Sequence, residues 1–264
     1  MLTKAQEDEF DTWGVLKVRS LLSAQSISRA RMSVLNRFET LGLAKNGEWQ
    51  LDHKARFQWP DKGYKAKDIG NKNEDVERLL DDPAVKPLAN ALLNNAKLDT
   101  EFFKRPQILV SLPNEGQWFM PHNGWHVDVP RLSTGQCPGV QIFILLSELE
   151  PKGGGTLAIA GSHRLLNKDG FIRSRDVVRR VRSKAPLQRF MSKPRSAINW
   201  FDAAEKTNKP ASLKVVELTG SPGDAYFIDL RTLHSAAPNT SLEPRMMATH
   251  RFLRIDAAAE MAAV

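Results

Sequence analysis

The sequence predicts a mainly β chain with flanking helices, an antiparallel sandwich or barrel with helical segments packed outside it. Three observations carry that expectation. Apolar residues at helical spacing are confined to the first hundred or so positions. After Pro106 they fall instead into short β-type runs, and turn chemistry (PKGGG, TGSPGD, NTSLEP) lies between those runs. Helices first and then many short strands at irregular intervals is the order of one decorated sheet sandwich. A length of 264 residues suits a single domain over 1–264. We divide it into a helical part to about residue 105, a β core from about 106 to 256, and a basic insertion at about 165–212.

The elements follow in order. FDTWGVLKVRSLLS suggests a short strand, Val15 to Val18, running into a loop. In SAQSISRARMSVLNRFETLGL the residues Ile27, Met32, Leu35, Phe38 and Leu41 recur at roughly helical spacing, and Ser23 can cap the helix. Residues 46–72 are polar and rich in Lys, Asp and Gly, and read as loop. Between Glu74 and Asn95 the apolar positions give two short helices broken near Pro83. Six strands are then expected: QILVSL (107–112), GVQIFILL (139–146), GTLAIA (155–160), LKVVEL (213–218), DAYFIDL (224–230) and MMATHRFLRI (246–255).

Composition narrows the function classes. The start MLTKAQEDEF lacks a basic-then-apolar leader, and no apolar run approaches a membrane span, so a cytoplasmic protein is expected. A single cysteine, Cys137, excludes an internal disulfide and argues against a thiolate-built zinc or iron–sulfur site. The net charge of +8 is concentrated: residues 173–195 hold nine basic residues against one acid, Asp176. Arg173, Arg175, Arg179, Arg180, Arg182, Lys184, Arg189, Lys193 and Arg195 form that stretch. It is compatible with nucleic acid, an anionic surface or an anionic substrate, and equally with a solvated insertion. No RNA-module signature or zinc-finger spacing accompanies it.

The stretch HNGWHVDVP (122–130) is the one that points to chemistry. On a strand, residues two apart share a face, so His126 and Asp128 would present an imidazole and a carboxylate to one space. Two imidazoles and one carboxylate on one face of a metal leave three positions open, the ligand set of an iron site that activates dioxygen. The third ligand would be a distant histidine: His234, His163, His250, His122 or His53. His234 is favoured because it follows the DAYFIDL strand, with Arg245 eleven residues later opening the next one. Antiparallel pairing across that loop would put both on neighbouring strands facing one cavity. An arginine there can clamp a carboxylate with its planar fork.

The segment SPGDAYFIDLRTLHSAAPNTSLEPRMMATHRF resembles the C-terminal signature of the phytanoyl-CoA dioxygenase (PhyH-like) family. GGGTLAIAGSHR (153–164) and the opening FDTWGVLKVRSLLS are similar to further family segments, so that the likeness runs from about Phe10 to Phe252. The resemblance implies a double-stranded β-helix (jelly-roll, cupin-like) core and an Fe(II)- and 2-oxoglutarate-dependent dioxygenase. Such an enzyme hydroxylates a small molecule with O2 while 2-oxoglutarate becomes succinate and CO2. It implies His126, Asp128 and His234 as catalytic metal ligands, Arg245 on the cosubstrate carboxylate, and Thr156 beside it. Ala236 and Ser235 stand where family members often have a serine two residues after the distal histidine. Halogenating relatives lack the carboxylate, so Asp128 implies hydroxylation.

The remaining polar and aromatic residues have alternatives that stay open. Gln107 and Gln141 interrupt apolar strands; a buried amide without partners costs about 1–3 kcal/mol, so each faces a polar cavity or a closed network. Gln107 is a cosubstrate candidate and Gln141 a substrate candidate. His122 and Trp125 are further substrate candidates; Trp118, Phe119 and Trp125 equally suit an aromatic core. His163 suits a loop-fixing role, His250 a satisfied core or rim position, His53 solvent. The GGG turn is not a phosphate cradle, since no helix with Lys-Ser/Thr follows. The expected partner is a small-molecule substrate, anionic if the basic stretch serves it, with no membrane. Two rivals remain: a cupin-type metal hydrolase or isomerase using the same triad, and a nucleic-acid-binding protein using residues 173–195.

Overall fold

The structure is a computed structural model, and it describes residues 2–50, 73–113, 116–121, 124–129, 132, 135–166, 187–188, 190 and 212–263. His53, His122 and most of the basic stretch lie outside the described residues.

Five strands form most of the larger sheet in the order β1 (Val15–Val18), β9 (Ala225–Asp229), β6 (Gly139–Leu145), β11 (Arg245–Arg254) and β4 (Leu98–Asp99). A sixth, β5 (Gln107–Ser111), pairs beside β11. The smaller sheet has the order β10 (Leu233–Ala236), β7 (Thr156–Ala160), β8 (Lys214–Glu217). All these pairings are antiparallel. The residues between the sheets follow from the period of two. On β11 Met247 points inward; its register partner is Leu145 on β6, and Leu145, Phe143, Tyr226, Ile228 and Val15 pack with Ala158, Ala160 and Leu218 of the smaller-sheet side. The alternate residues of the larger sheet, among them Ile108, Ile142, Ile144, Phe227, Met246 and Ala248, face the helices. The result is the expected mainly-β jelly roll.

The helices cover that outer face. In α2 (Ala24–Glu39) Ser23 accepts a hydrogen bond from Ser26 N, and Ile27, Ala30, Val34, Leu35 and Phe38 are buried. Met32, placed in the apolar stripe by spacing, is 39% exposed. α3 (Glu74–Leu80) and α4 (Val85–Leu92) are the two short helices expected around Pro83, and Asn73 caps the first. α1 (Lys4–Trp13) was not anticipated, because it buries only Phe10; its signal is the Thr3–Gln6 capping box. A second unanticipated element is the hairpin β2 (Ala44–Lys45) and β3 (Glu48–Trp49), turned by Asn46 and Gly47 at φ 52° and 79°. Asn-Gly is the preferred turn for that geometry, so a stretch read partly as loop carries a hairpin.

The chain closes with α5 (Ser162–Leu166) after β7 and α6 (Ile255–Ala262) after β11. The first 105 residues are not purely a helical layer, since β1 and β4 are strands of the larger sheet. The outer face of the smaller sheet is covered by Trp125, Val127, Met120, Leu187 and Phe190. Leu187 and Phe190 fall inside the basic stretch, and these two side chains are fully buried. Among the described residues no helix is long and apolar enough to cross a membrane.

Candidate functional site

His126 and Asp128 lie on an extended segment that bridges β10: His126 N donates to His234 O, His234 N to His126 O, and Asp128 N to Leu230 O. The segment is not a strand of either sheet, yet the alternation holds. Trp125 and Val127 point out into the outer core while His126 and Asp128 point in. His234 sits on β10 opposite Ala158. It therefore belongs to a four-residue strand that pairs with β7. Ligand atoms of His126, Asp128 and His234 all lie within 4.8 Å of one another.

The hydrogen bonds on the far side of each imidazole fix which nitrogen faces the cavity. His126 Nδ1 is 2.9 Å from Gly124 O and His234 Nδ1 is 3.0 Å from Thr232 O. A backbone carbonyl can only accept, so each Nδ1 carries a proton and each Nε2 is the nitrogen left to face the cavity. Those Nε2 atoms stand 3.9 and 3.6 Å from the two Asp128 oxygens. Burial pushes the His234 imidazole down to about 4, despite the attraction of Asp128, which keeps it a neutral donor. Burial alone would push the Asp128 carboxyl up. The facing imidazoles of His234 and His126, with the charge and hydrogen bonds of Arg251, outweigh it and hold the carboxyl below its ordinary range. Two neutral nitrogens and one carboxylate oxygen, converging on one space, form a donor set that suits a divalent transition metal with open positions.

The strand pairing differs from the expectation for Arg245. The loop after His234 crosses from the smaller sheet to the larger, so His234 and Arg245 lie on facing sheets rather than on neighbouring strands. Arg245 is 4% exposed and reaches across the interior, donating to Thr156 Oγ1 at 3.3 Å and lying 3.4 Å from Met247 Sδ. Its Nε has no partner, and no carboxylate forms an ion pair with it among the described residues. Burial lowers its pKa to about 10, with Glu217 a partial offset. Glu217 is committed elsewhere: it accepts from Lys152 N and Gly155 N and holds the GGG turn. A buried guanidinium with one neutral oxygen partner calls for an anion. A small dicarboxylate fits that demand, with one end on Arg245 and Thr156 and the other towards His234, two β7 residues away in register or about 7 Å.

Gln141 is also on the inner face: its Nε2 donates to Thr249 Oγ1 at 2.9 Å, and Thr249 Oγ1 donates to Ile142 O at 2.8 Å. Its Oε1 is buried with no partner. Gln107 is the register partner of Thr249 on β5, half-buried on the same face. Trp125 does not line the cavity. It is 1% exposed in the outer core, with Nε1 donating to Pro121 O. Phe119 is 42% exposed and Trp118 packs at the edge of that same cluster.

The other histidines are elsewhere. His163 lies on α5 with Nε2 3.3 Å from Asp11 O, a loop-fixing contact. His250 is on the helix-facing side of β11 beside Phe252, where burial lowers it to about 4. Its Nδ1 has no partner, while the ring also bonds the backbone at Arg105, so it is satisfied in part. Ser235 points outward in register with Leu157, and Ala236 faces Thr156, so no serine replaces the family hydroxyl. The residue that sequence reasoning missed is Arg251. Its Nε and Nη2 donate to the two Asp128 oxygens at 2.9 and 3.2 Å. The signal was available: Arg251 shares the inward face with Arg245, six residues along one strand.

No match is found among curated proteins. Solved structures with the same fold are numerous. EctD from S. alaskensis, determined with 2-oxoglutarate and 5-hydroxyectoine, has a TM-score of 0.62 at 17% identity, covering 97% of this chain and 77% of its own. The non-heme alpha-ketoglutarate-dependent carbocyclase SnoK from nogalamycin biosynthesis gives 0.60 at 18%, covering 96% and 84%. The epimerase SnoN, in complex with Fe3+, alpha-ketoglutarate and nogalamycin RO, gives 0.58 at 17%, covering 95% and 82%. The phytanoyl-CoA dioxygenase (PhyH) family model matches residues 10–247, nearly the whole of the described fold. The chain belongs to the phytanoyl-CoA dioxygenase family.

Proposed function

We propose that this chain is an Fe(II)- and 2-oxoglutarate-dependent dioxygenase that hydroxylates a small-molecule substrate. The observation that carries the reading is Arg245, a buried cation without an anion, on the same interior as the His126–Asp128–His234 triad. When bound, iron and 2-oxoglutarate supply the oxidant: the cosubstrate loses CO2 and becomes succinate with one atom of O2, and the other enters the substrate.

The chain's own groups do the holding and the orienting. His126 and His234 present Nε2, each fixed by its Nδ1 hydrogen bond, and Asp128 supplies the anionic oxygen that balances metal charge. Arg245 and Thr156 take the far carboxylate of the cosubstrate, and the apolar walls Met247 and Phe143 exclude water from that end. Gln107 and the free Oε1 of Gln141 are the polar groups available to cosubstrate or substrate. SnoN and SnoK are named as an epimerase and a carbocyclase, which favours a second outcome on the same frame: hydrogen removal followed by inversion or ring closure.

The test is an anaerobic titration of Fe(II) and 2-oxoglutarate, watching the visible metal-to-cosubstrate charge-transfer band. Wild type should develop the band, and His126→Ala and Arg245→Ala should lose it at the same concentrations. Folded, iron-loaded wild type without the band would overturn the reading in favour of a cupin-type hydrolase. With a turned-over substrate, a product carrying one added oxygen atom separates hydroxylation from epimerisation or cyclisation.

A further inference from the structure

Each of the three candidate ligands needs something behind it to keep it aimed. For the histidines that holder is a backbone carbonyl, Gly124 O and Thr232 O. Asp128 stands at a bend outside both sheets, and among the described residues one backbone hydrogen bond, to Leu230 O, ties it down. Its carboxylate is held from the opposite sheet. Arg251 crosses from β11 and places Nε on Oδ2 and Nη2 on Oδ1, while the imidazoles approach those same two oxygens. The guanidinium carbon is in turn 5.2 Å from the centre of the Phe103 ring, in the loop between β4 and β5. Two parallel N–H bonds to one carboxylate remove its freedom to rotate, which one bond or a point charge would not do.

We propose that Arg251 is a positioning residue for the metal centre, holding Asp128 in its ligating pose before metal arrives, with Phe103 as the plate against which the fork rests. This rests on the metal-centre reading above. Two effects of Arg251 have opposite signs. Preorganising the carboxylate strengthens metal binding, whereas its positive charge close to a divalent cation weakens it. The geometry favours the first: the guanidinium's charge is already matched by Asp128, and both its bonds are spent on aim.

The probe is Co(II), read by its visible absorption, titrated into wild type, Arg251→Gln, Arg251→Lys and Phe103→Leu, with thermal unfolding in chelator as the folding control. Both Arg251 variants should bind Co(II) about 10- to 100-fold more weakly, the loss typical when a partner behind a ligand is removed. Lysine, which keeps charge without the fork, should not restore it. The Co(II) spectrum of Arg251→Gln should change in intensity, reporting an altered ligand set, and Phe103→Leu should weaken binding a few-fold. Equal or tighter Co(II) binding by Arg251→Gln with the wild-type spectrum would overturn the proposal and leave charge repulsion as the net effect. Should the Arg251 variants not fold, unchanged affinity in Phe103→Leu overturns it. Wild type that takes up no Co(II) overturns the metal centre itself, a distinct result.

Discussion

A hydroxyl and a histidine show at the scale of single residues how burial sets behaviour. Thr156 Oγ1 is the oxygen partner of a buried guanidinium that forms no ion pair among the described residues. Thr156→Val keeps the shape and removes the oxygen. We expect 2-oxoglutarate to bind roughly 5- to 30-fold more weakly, for a charged hydrogen bond worth about 1–2 kcal/mol. Anaerobic titration in the presence of Fe(II) reads this directly, and unchanged affinity would remove Thr156 from the site. His250 gives a pH effect. Burial lowers its folded pKa to about 4, helped by Arg251 and Lys86 and opposed by the backbone at Arg105. The unfolded imidazole titrates near the ordinary value of about 6.5. The unfolded chain therefore binds the proton first, so the contribution of neutral His250 is whole above pH 6.5 and is lost as pH falls towards 4. His250→Leu should reduce the slope of unfolding free energy against pH in that window by up to about 1.4 kcal/mol per pH unit. Urea denaturation at several pH values checks it; an unchanged slope would mean that His250 is already protonated in the fold.

The elements show where sequence signals were strong and where they failed. Strands β6, β7, β9 and β11 were legible because each is an apolar run between turn residues. α1 was not, since one buried residue leaves no stripe, and its evidence was the local Thr3–Gln6 cap. β10 was missed because it is four residues long and carries His234 and Ser235 between Leu233 and Ala236. Its strand character comes from β7, which pairs with all four residues. The link from β10 to β11 decides where Arg245 stands, and Asn239 organises it. Asn239 Nδ2 donates to Ser111 O and Glu243 O, and its Oδ1 accepts from Ser241 N and Oγ. Gly154, at φ 82°, passes so close that a Cβ would stand 2.7 Å from Asn239 Cβ. Asn239→Ala removes the side-chain donor to Ser111 O and leaves Glu243 O to Ser241 Oγ alone, so we expect about 1–3 kcal/mol lower stability in urea and weaker 2-oxoglutarate binding through Arg245. Loss of stability with unaltered cosubstrate affinity would show that the loop does not position Arg245.

At the scale of the whole molecule the site is a set of links between two sheets. Arg245 on the larger sheet reaches Thr156 on the smaller, and Arg251 reaches the segment that bridges β10. Ligands held between the sheets should therefore stabilise the folded chain as a whole. Mn(II) and 2-oxoglutarate, each at about a hundredfold over its dissociation constant, should each add about 2.7 kcal/mol. For a chain of this size each contribution raises Tm by about 5–10 °C over chelator-treated protein. Arg245→Ala should keep the metal part of the rise and lose the cosubstrate part. A Tm indifferent to both ligands would mean that the triad does not hold metal in the folded chain.

By itself the sequence determined the class of the core, because alternation and turn chemistry are local and were sufficient to place most strands. It also singled out His126, Asp128, His234 and Arg245 as a candidate set, since their residue types and order resemble the family pattern. Only the tertiary structure decided which sheet each belongs to, that Trp125 faces out, and that Arg251 backs Asp128. Those facts depend on pairings between distant residues, from His234 with Ala158 to Arg245 with Ser111. Nothing in a local window encodes which strand a short polar segment will join, because the partner's backbone supplies the hydrogen bonds that make it a strand.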